Sequence, residues 1–211
     1  MRSLFATQTR REQPLCNARF ATSILILVGF FGPWVAHRTA ALTVTGYELS
    51  EFAKFFPQVQ GGVVPVRRAL FVTPLFAATI PLALIVQRSK GRPLLRFGGT
   101  ILAVLLGLAV LPPYQSLLEP AYRPQLILVA VGLLLTLLMP LAGRFSERVR
   151  GLLFLLVTLV GIIPALWQYV LLRPLIGGLY RARILPGWGL IVCTVGFLLL
   201  SLASLRDVLA P

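Results

Sequence analysis

The sequence predicts an all-α integral membrane protein, a single bundle of six transmembrane helices. Hydrophobic residues make up 57% of the 211-residue chain and charged residues only 12%, whereas soluble domains carry about 45–50% and about 25%. The mean hydropathy is +0.87. The apolar residues form Leu-rich runs without the alternation of barrel strands, which favours helices. Because the polar connections are short, residues 1–211 are expected to form one membrane domain.

Six apolar runs approach the roughly 20 residues that cross a hydrocarbon layer about 30 Å thick. The predicted spans cover about residues 20–36, 69–87, 94–111, 125–142, 151–172 and 187–205. The first run also resembles a secretory signal peptide, because three arginines precede it and the small residues 39–41 could be a cleavage site. It is long enough to cross a slightly thinned bilayer, so we favour a retained span.

The first outer loop, residues 37–68, is predicted to contain a short amphipathic helix over about residues 46–56. Thr45 and Glu48 have the spacing of a capping box, in which each side chain binds a backbone N–H of the other residue. Pro57 then ends the helix.

The apolar residues of this helix fall on one side at helical spacing, which is typical of a helix lying flat in the head-group region. Two interpretations remain open. The helix packs on its own bundle, or it presents three phenylalanines to another subunit. These candidate partner-binding residues are Phe52, Phe55 and Phe56.

A second candidate contact face lies on the third predicted span, where small residues recur every four positions. Such residues let helices approach closely in lipid. The face consists of Gly99, Ala103 and Gly107, and the fifth span has a shorter version at Gly161 and Ala165. We expect packing within the chain more often than contact with a partner, and both remain possible.

A third group of residues could touch a lipid or a quinone, because an aromatic wall with an amide donor suits a polar head on an apolar body. The same residue types also form the interfacial belt of any membrane helix. The group consists of Tyr114, Gln115, Trp167, Gln168, Tyr169 and Arg173.

Charge predicts orientation and partners. Of the twenty basic residues, twelve lie on the side of the termini and eight on the other. This bias predicts cytoplasmic termini in a bacterial inner membrane. The net charge of +14 is attributed to arginine clusters that meet anionic lipid head groups, and nucleic acid is not expected, because no basic domain stands outside the bilayer.

Catalysis is not expected. The six acidic residues lie outside the apolar runs, and the chain has one histidine, His37. A bis-histidine haem site is therefore impossible within the chain, and no metal-ligand spacing or glycine-rich phosphate loop occurs. We expect no cofactor, no metal and an interior without ionisable groups.

Three short motifs resemble those of uncharacterised bacterial six-span integral membrane proteins. They are Thr45-Gly-Tyr-Glu-Leu-Ser-Glu-Phe, Pro112-Pro-Tyr and Pro186-Gly-Trp-Gly. The resemblance implies the span count and transfers no activity. It leaves open an auxiliary subunit of an energy-converting complex, such as a quinol-oxidising or photosynthetic electron-transfer assembly.

The leading hypothesis is therefore a non-catalytic subunit that packs against other integral membrane subunits. The alternative is a small transporter whose substrate passes between the second and fifth spans. Pro81 and Pro164 lie within those spans, and proline-bent helices line substrate sites in transporters.

Overall fold

The computed structural model describes residues 2–37, 42–87, 93–112, 114–117, 119–138, 141 and 145–209. For residues 2–16, 37, 42, 84–87, 93, 95 and 96 it describes the backbone alone. The small residues 39–41, considered above as a cleavage site, lie outside the described residues, as does most of 139–142 at the predicted end of the fourth span.

The described chain is mostly helical. Its helices are α1 (Arg2–Phe31), α2 (Gly46–Phe52), α3 (Pro57–Gln60), α4 (Thr73–Gln87), α5 (Pro93–Leu108), α6 (Arg123–Leu138), α7 (Glu147–Tyr180) and α8 (Trp188–Leu209). Three short strands accompany them, β1 (Pro33–His37), β2 (Leu42–Thr45) and β3 (Leu185–Pro186). Every predicted span overlaps a helix.

The expectation of six membrane-crossing helices is supported for three of them only. The segments that are long and apolar enough to cross are Pro120–Leu138, Glu147–Tyr180 and Trp188–Leu209. The other three predicted spans contain shorter apolar helices, Asn17–Phe31, Arg68–Ala83 and Phe97–Leu108. Helix ends account for part of this difference, because the first helix ends at Phe31 and not near residue 36.

A small antiparallel sheet follows α1 and was not predicted. Its strand order is β2-β1-β3, with Val35 opposite Val44 in β2 and opposite Pro186 in β3. Pro33 explains why the helix ends, since proline donates no backbone hydrogen bond and disfavours helical geometry in the residue before it. The apolar residues that follow Pro33 looked like the continuation of a span.

The fifth predicted span is longer than expected. α7 contains 34 residues and is therefore about 51 Å long. It begins after Ser146, whose hydroxyl accepts a hydrogen bond from the Val149 N–H, and it continues through Pro164 and Pro174. Beside the first proline, Thr73 of α4 donates a hydrogen bond to the Gly161 carbonyl at 2.8 Å.

The core lies where α1, α4, α7 and α8 meet. α1 and α8 run antiparallel in close contact, since a Cβ on Gly29 would lie 2.7 Å from Cα of Cys193. α4 also packs on α5 and α6. We call the end of the bundle that holds the sheet the loop end, and the opposite end, where Arg19 meets Asp207, the terminal end.

Candidate functional site at the loop end

The predicted capping box forms at the start of α2. The Thr45 hydroxyl accepts a hydrogen bond from the Glu48 N–H at 3.3 Å, and the Glu48 carboxylate accepts one from the Thr45 N–H at 2.8 Å. The helix ends at Phe52 and a 3₁₀ turn, Ala53–Phe55, follows. Pro57 was predicted only to end this helix. It also begins α3, a single helical turn that gives the chain a new direction.

The three candidate phenylalanines of this segment differ in exposure. Phe56 is buried in the core and Phe52 is half-buried, and their rings meet edge to face with centroids 5.5 Å apart. Phe55 is 68% exposed. Its ring contacts Phe52 at 6.4 Å and the Lys54 ammonium at 5.5 Å. The segment therefore packs on its own bundle and leaves one phenylalanine exposed at its surface.

A polar cluster fastens this segment to the connection before α6. The Glu51 carboxylate accepts hydrogen bonds from the Lys54 ammonium at 2.7 Å and from the Tyr122 hydroxyl at 3.1 Å. The Arg68 guanidinium lies 4.9 Å from the centre of the Tyr122 ring. The bond to Glu51 raises the pKa of Lys54, and burial, followed by the charge of Glu51, raises the pKa of Tyr47. Lys54 therefore stays charged at neutral pH.

Trp34 of β1 seats the same segment on the bundle. Its side chain is fully buried, and its indole N–H donates a hydrogen bond to the Gly29 carbonyl in the last turn of α1 at 3.1 Å. A Cβ on Gly46 would lie 2.8 Å from the indole ring, so only glycine fits at the start of α2. The Tyr169 ring packs against the other side with centroids 6.4 Å apart.

The six candidate lipid or quinone contacts have two different roles. Tyr114, Gln115 and Trp167 are exposed, and the Gln115 amide donates to the Tyr114 hydroxyl at 3.0 Å. The other three hold the loop end together. The Gln168 carbonyl accepts from the Arg67 N–H at 2.7 Å, Tyr169 is buried, and the Arg173 Nε donates to the Ile184 carbonyl at 2.8 Å.

The small-residue face of α5 points largely into the chain. Ala103 is fully buried, and a Cβ on Gly107 would lie 2.7 Å from Leu133 of α6 and 3.3 Å from Phe76 of α4. Gly99 is half-buried. Ala103 and Gly107 thus serve contact between helices of this chain and offer no surface to a partner.

Sequence reasoning missed a close small-residue contact between α1 and α8. Added Cβ atoms on Gly29, Gly189 and Gly196 would overlap or press against the opposite helix. The spacing from Gly189 to Cys193 is the small-residue signal that could have indicated this contact. Cys193 is fully buried there.

The expectation of an interior without ionisable groups is wrong at the terminal end. Arg19 of α1 and Asp207 of α8 form an ion pair whose side chains are only 7% and 10% exposed. Arg19 also donates to the Ala203 carbonyl at 3.3 Å and lies 5.4 Å from the centre of the Phe154 ring. Arg150 is buried as well, and it contacts Glu147, whose side chain is 61% exposed.

Most other buried polar side chains bond backbone carbonyls of their own helix. Thr22 donates to Arg19, Thr79 to Phe76, Thr136 to Gly132, Thr158 to Phe154 and Ser204 to Leu200, at 2.6–3.1 Å. Such bonds satisfy a hydroxyl without any ligand. Among the described residues, no group of three His, Cys, Asp or Glu side chains could hold a metal ion.

Comparisons with protein-family models, with curated proteins and with solved structures give no match to this chain.

Proposed function

We propose that this chain is a non-catalytic integral membrane subunit that docks on other membrane proteins through the loop end. The main support for this proposal is Phe55. It is an exposed aromatic side chain on a segment held by a capping box, a polar cluster and a buried tryptophan. Exposed aromatic residues on rigid supports often dominate binding energy, because they lose little conformational entropy on association. The class of complex that we favour is a quinol-oxidising or photosynthetic electron-transfer assembly.

The proposal includes six crossings of the membrane. α1 lies along α8, with Arg19 beside Asp207 at one end and Gly32 beside Gly189 at the other. Because α1 packs along α8 between these two contacts, α1 crosses the membrane if α8 does. The shorter helices then require a locally thinned bilayer.

The proposed orientation places the terminal end in the cytoplasm of a bacterial inner membrane. Exposed arginines at this end include Arg148 and Arg206, and the twelve-to-eight distribution of basic residues favours the same side.

Comparison of two phenylalanine substitutions tests docking at the loop end. Phe55→Ala is expected to release the partner during gentle detergent extraction, since truncating a central aromatic contact typically costs about 2 kcal/mol or more of binding. Phe97→Ala is the matched control, because Phe97 is 70% exposed on α5. Native electrophoresis with mass spectrometry measures the complex. A lone 23 kDa wild-type species, or equal loss in both variants, would contradict the proposal.

The transporter alternative draws support from Pro81 and Pro164, which lie inside two helices that pack on each other. Against it, α4 and α7 are in direct contact near these prolines, since a Cβ on Gly161 would overlap that of Ala77 and Thr73 donates a hydrogen bond to the Gly161 carbonyl. Flux of a substrate through liposomes containing the purified chain alone would favour transport over docking.

A further inference from the structure

The outward face of α8 at the terminal end combines an apolar groove with one arginine. Leu202, Leu205, Arg206 and Leu209, all on this one helix, line a shallow groove of about 470 Å³ that is open along most of its extent. These positions are three or four residues apart, so they share one face of the helix. The leucines are 64%, 40% and 73% exposed.

Arg206 carries a charge that its acidic neighbour does not neutralise. The carboxylate of Asp207 is buried against α1, where Arg19 forms an ion pair with it. Among the described residues, no acidic side chain forms an ion pair with Arg206. The Arg206 side chain is exposed, so this face presents a positive charge.

The position of Arg206 along the helix matches the level of lipid phosphates. It follows Trp188, an exposed residue at the other end of α8, by about 27 Å at 1.5 Å per residue. The hydrocarbon layer is about 30 Å thick, and tryptophan and arginine are the side chains that mark its two borders.

From this arrangement we infer that α8 binds one phospholipid with an anionic head group. Arg206 donates hydrogen bonds to the phosphate, and an acyl chain lies along Leu202 and Leu205. A second copy of the chain is a poorer occupant. In a symmetric dimer with both copies in the same orientation, this face would place Arg206 beside its counterpart, and the like charges would repel. The inference rests on the proposed crossing of the membrane by α8.

Native mass spectrometry of the purified chain tests the site. Phosphatidylglycerol and phosphatidylcholine with identical acyl chains are titrated separately. The wild type is expected to prefer phosphatidylglycerol, and Arg206→Ala to weaken its binding about fivefold, as expected for one basic residue near a lipid surface. Arg183→Ala is the control, because Arg183 is exposed at the loop end. Leu205→Trp fills the groove and is expected to weaken binding of both lipids.

Equal affinity for the two lipids, or an unchanged affinity in Arg206→Ala, would overturn the inference. Thermal unfolding of each variant checks that the fold is kept, which is expected because Arg206 is exposed. The titration needs no partner protein and the Phe55 experiment does not involve α8, so failure of one proposal is distinguishable from failure of the other.

Discussion

The ion pair between Arg19 and Asp207 joins the two helices that begin and end the described bundle. Taking two charges out of water costs about as much as their attraction returns, so the pair is not in itself a source of stability. Removing only one partner is expected to destabilise the fold, because the remaining charge stays buried without its counter-charge. Within the part of the chain that the structure describes, the Arg19 Nε has no hydrogen-bond acceptor, so this site is sensitive to any further loss.

Asp207→Asn is therefore expected to destabilise the chain by about 3–5 kcal/mol. The double substitution Arg19→Met/Asp207→Leu is expected to recover most of this loss, because it leaves no unpaired charge. Glu119→Gln is the matched control, with an expected cost of at most about 0.5 kcal/mol, since Glu119 is exposed. Unfolding in mixed micelles measures all three. A cost below about 0.5 kcal/mol for Asp207→Asn would show that water reaches the pair.

Individual residues were predictable from the sequence only where their partners are close in the chain. The capping box needs residues three apart, and Thr45 and Glu48 form it. Arg19 and Asp207 are 188 positions apart, and Arg67 and Gln168 are 101 positions apart. Residue type and spacing carry no information about such distant pairs. Gln168 was therefore predicted as a possible lipid or quinone contact, whereas its side-chain carbonyl accepts the Arg67 N–H at the loop end.

Helices were predictable because an apolar run marks a helix wherever backbone groups cannot bond to water. Their ends were less predictable. Pro33 ends a helix, whereas Pro164 lies inside one, so the presence of a proline does not by itself locate a helix end. In the sheet at the loop end, β1 pairs with β3, and most of the chain separates these two strands in the sequence. No local sequence pattern therefore predicts their pairing.

Contact between α1 and α8 depends on the absence of a side chain at Gly29. Gly29→Ala is expected to force the helices apart and cost about 1–3 kcal/mol, because the new methyl group meets the Cys193 backbone, which cannot rotate away. Gly98→Ala is the control. Apart from its own turn of helix, no atom of a described residue lies within 4 Å of its added Cβ, and alanine favours a helix by about 0.5–1 kcal/mol over glycine. If both variants melted at the same temperature, the close approach of α1 and α8 would be refuted.

At the scale of the whole molecule, composition was sufficient to predict an all-α chain with helices able to cross a membrane. It was not sufficient to count the crossings, because the apolar stretches of three helices cover only 10–17 residues each. The proposal that these three helices also cross rests on their contacts with longer neighbours. If α6, α7 and α8 alone crossed, the chain before α6 would lie on one side, and α1 could not place Arg19 beside Asp207 and Gly32 beside Gly189.

Cysteine accessibility in intact cells distinguishes these two topologies. In a background without Cys16 and Cys193, single cysteines replace Val63 at the loop end, Ser146 at the terminal end, and Ser89 between α4 and α5. With six crossings, an impermeant maleimide is expected to label position 63 in intact cells and positions 89 and 146 only after permeabilisation. With three crossings, position 89 would react together with position 63, because no membrane would separate them. Labelling of position 146 in intact cells would instead show the opposite orientation. The number of crossings would then be decided by whether position 89 reacts together with position 146 or with position 63.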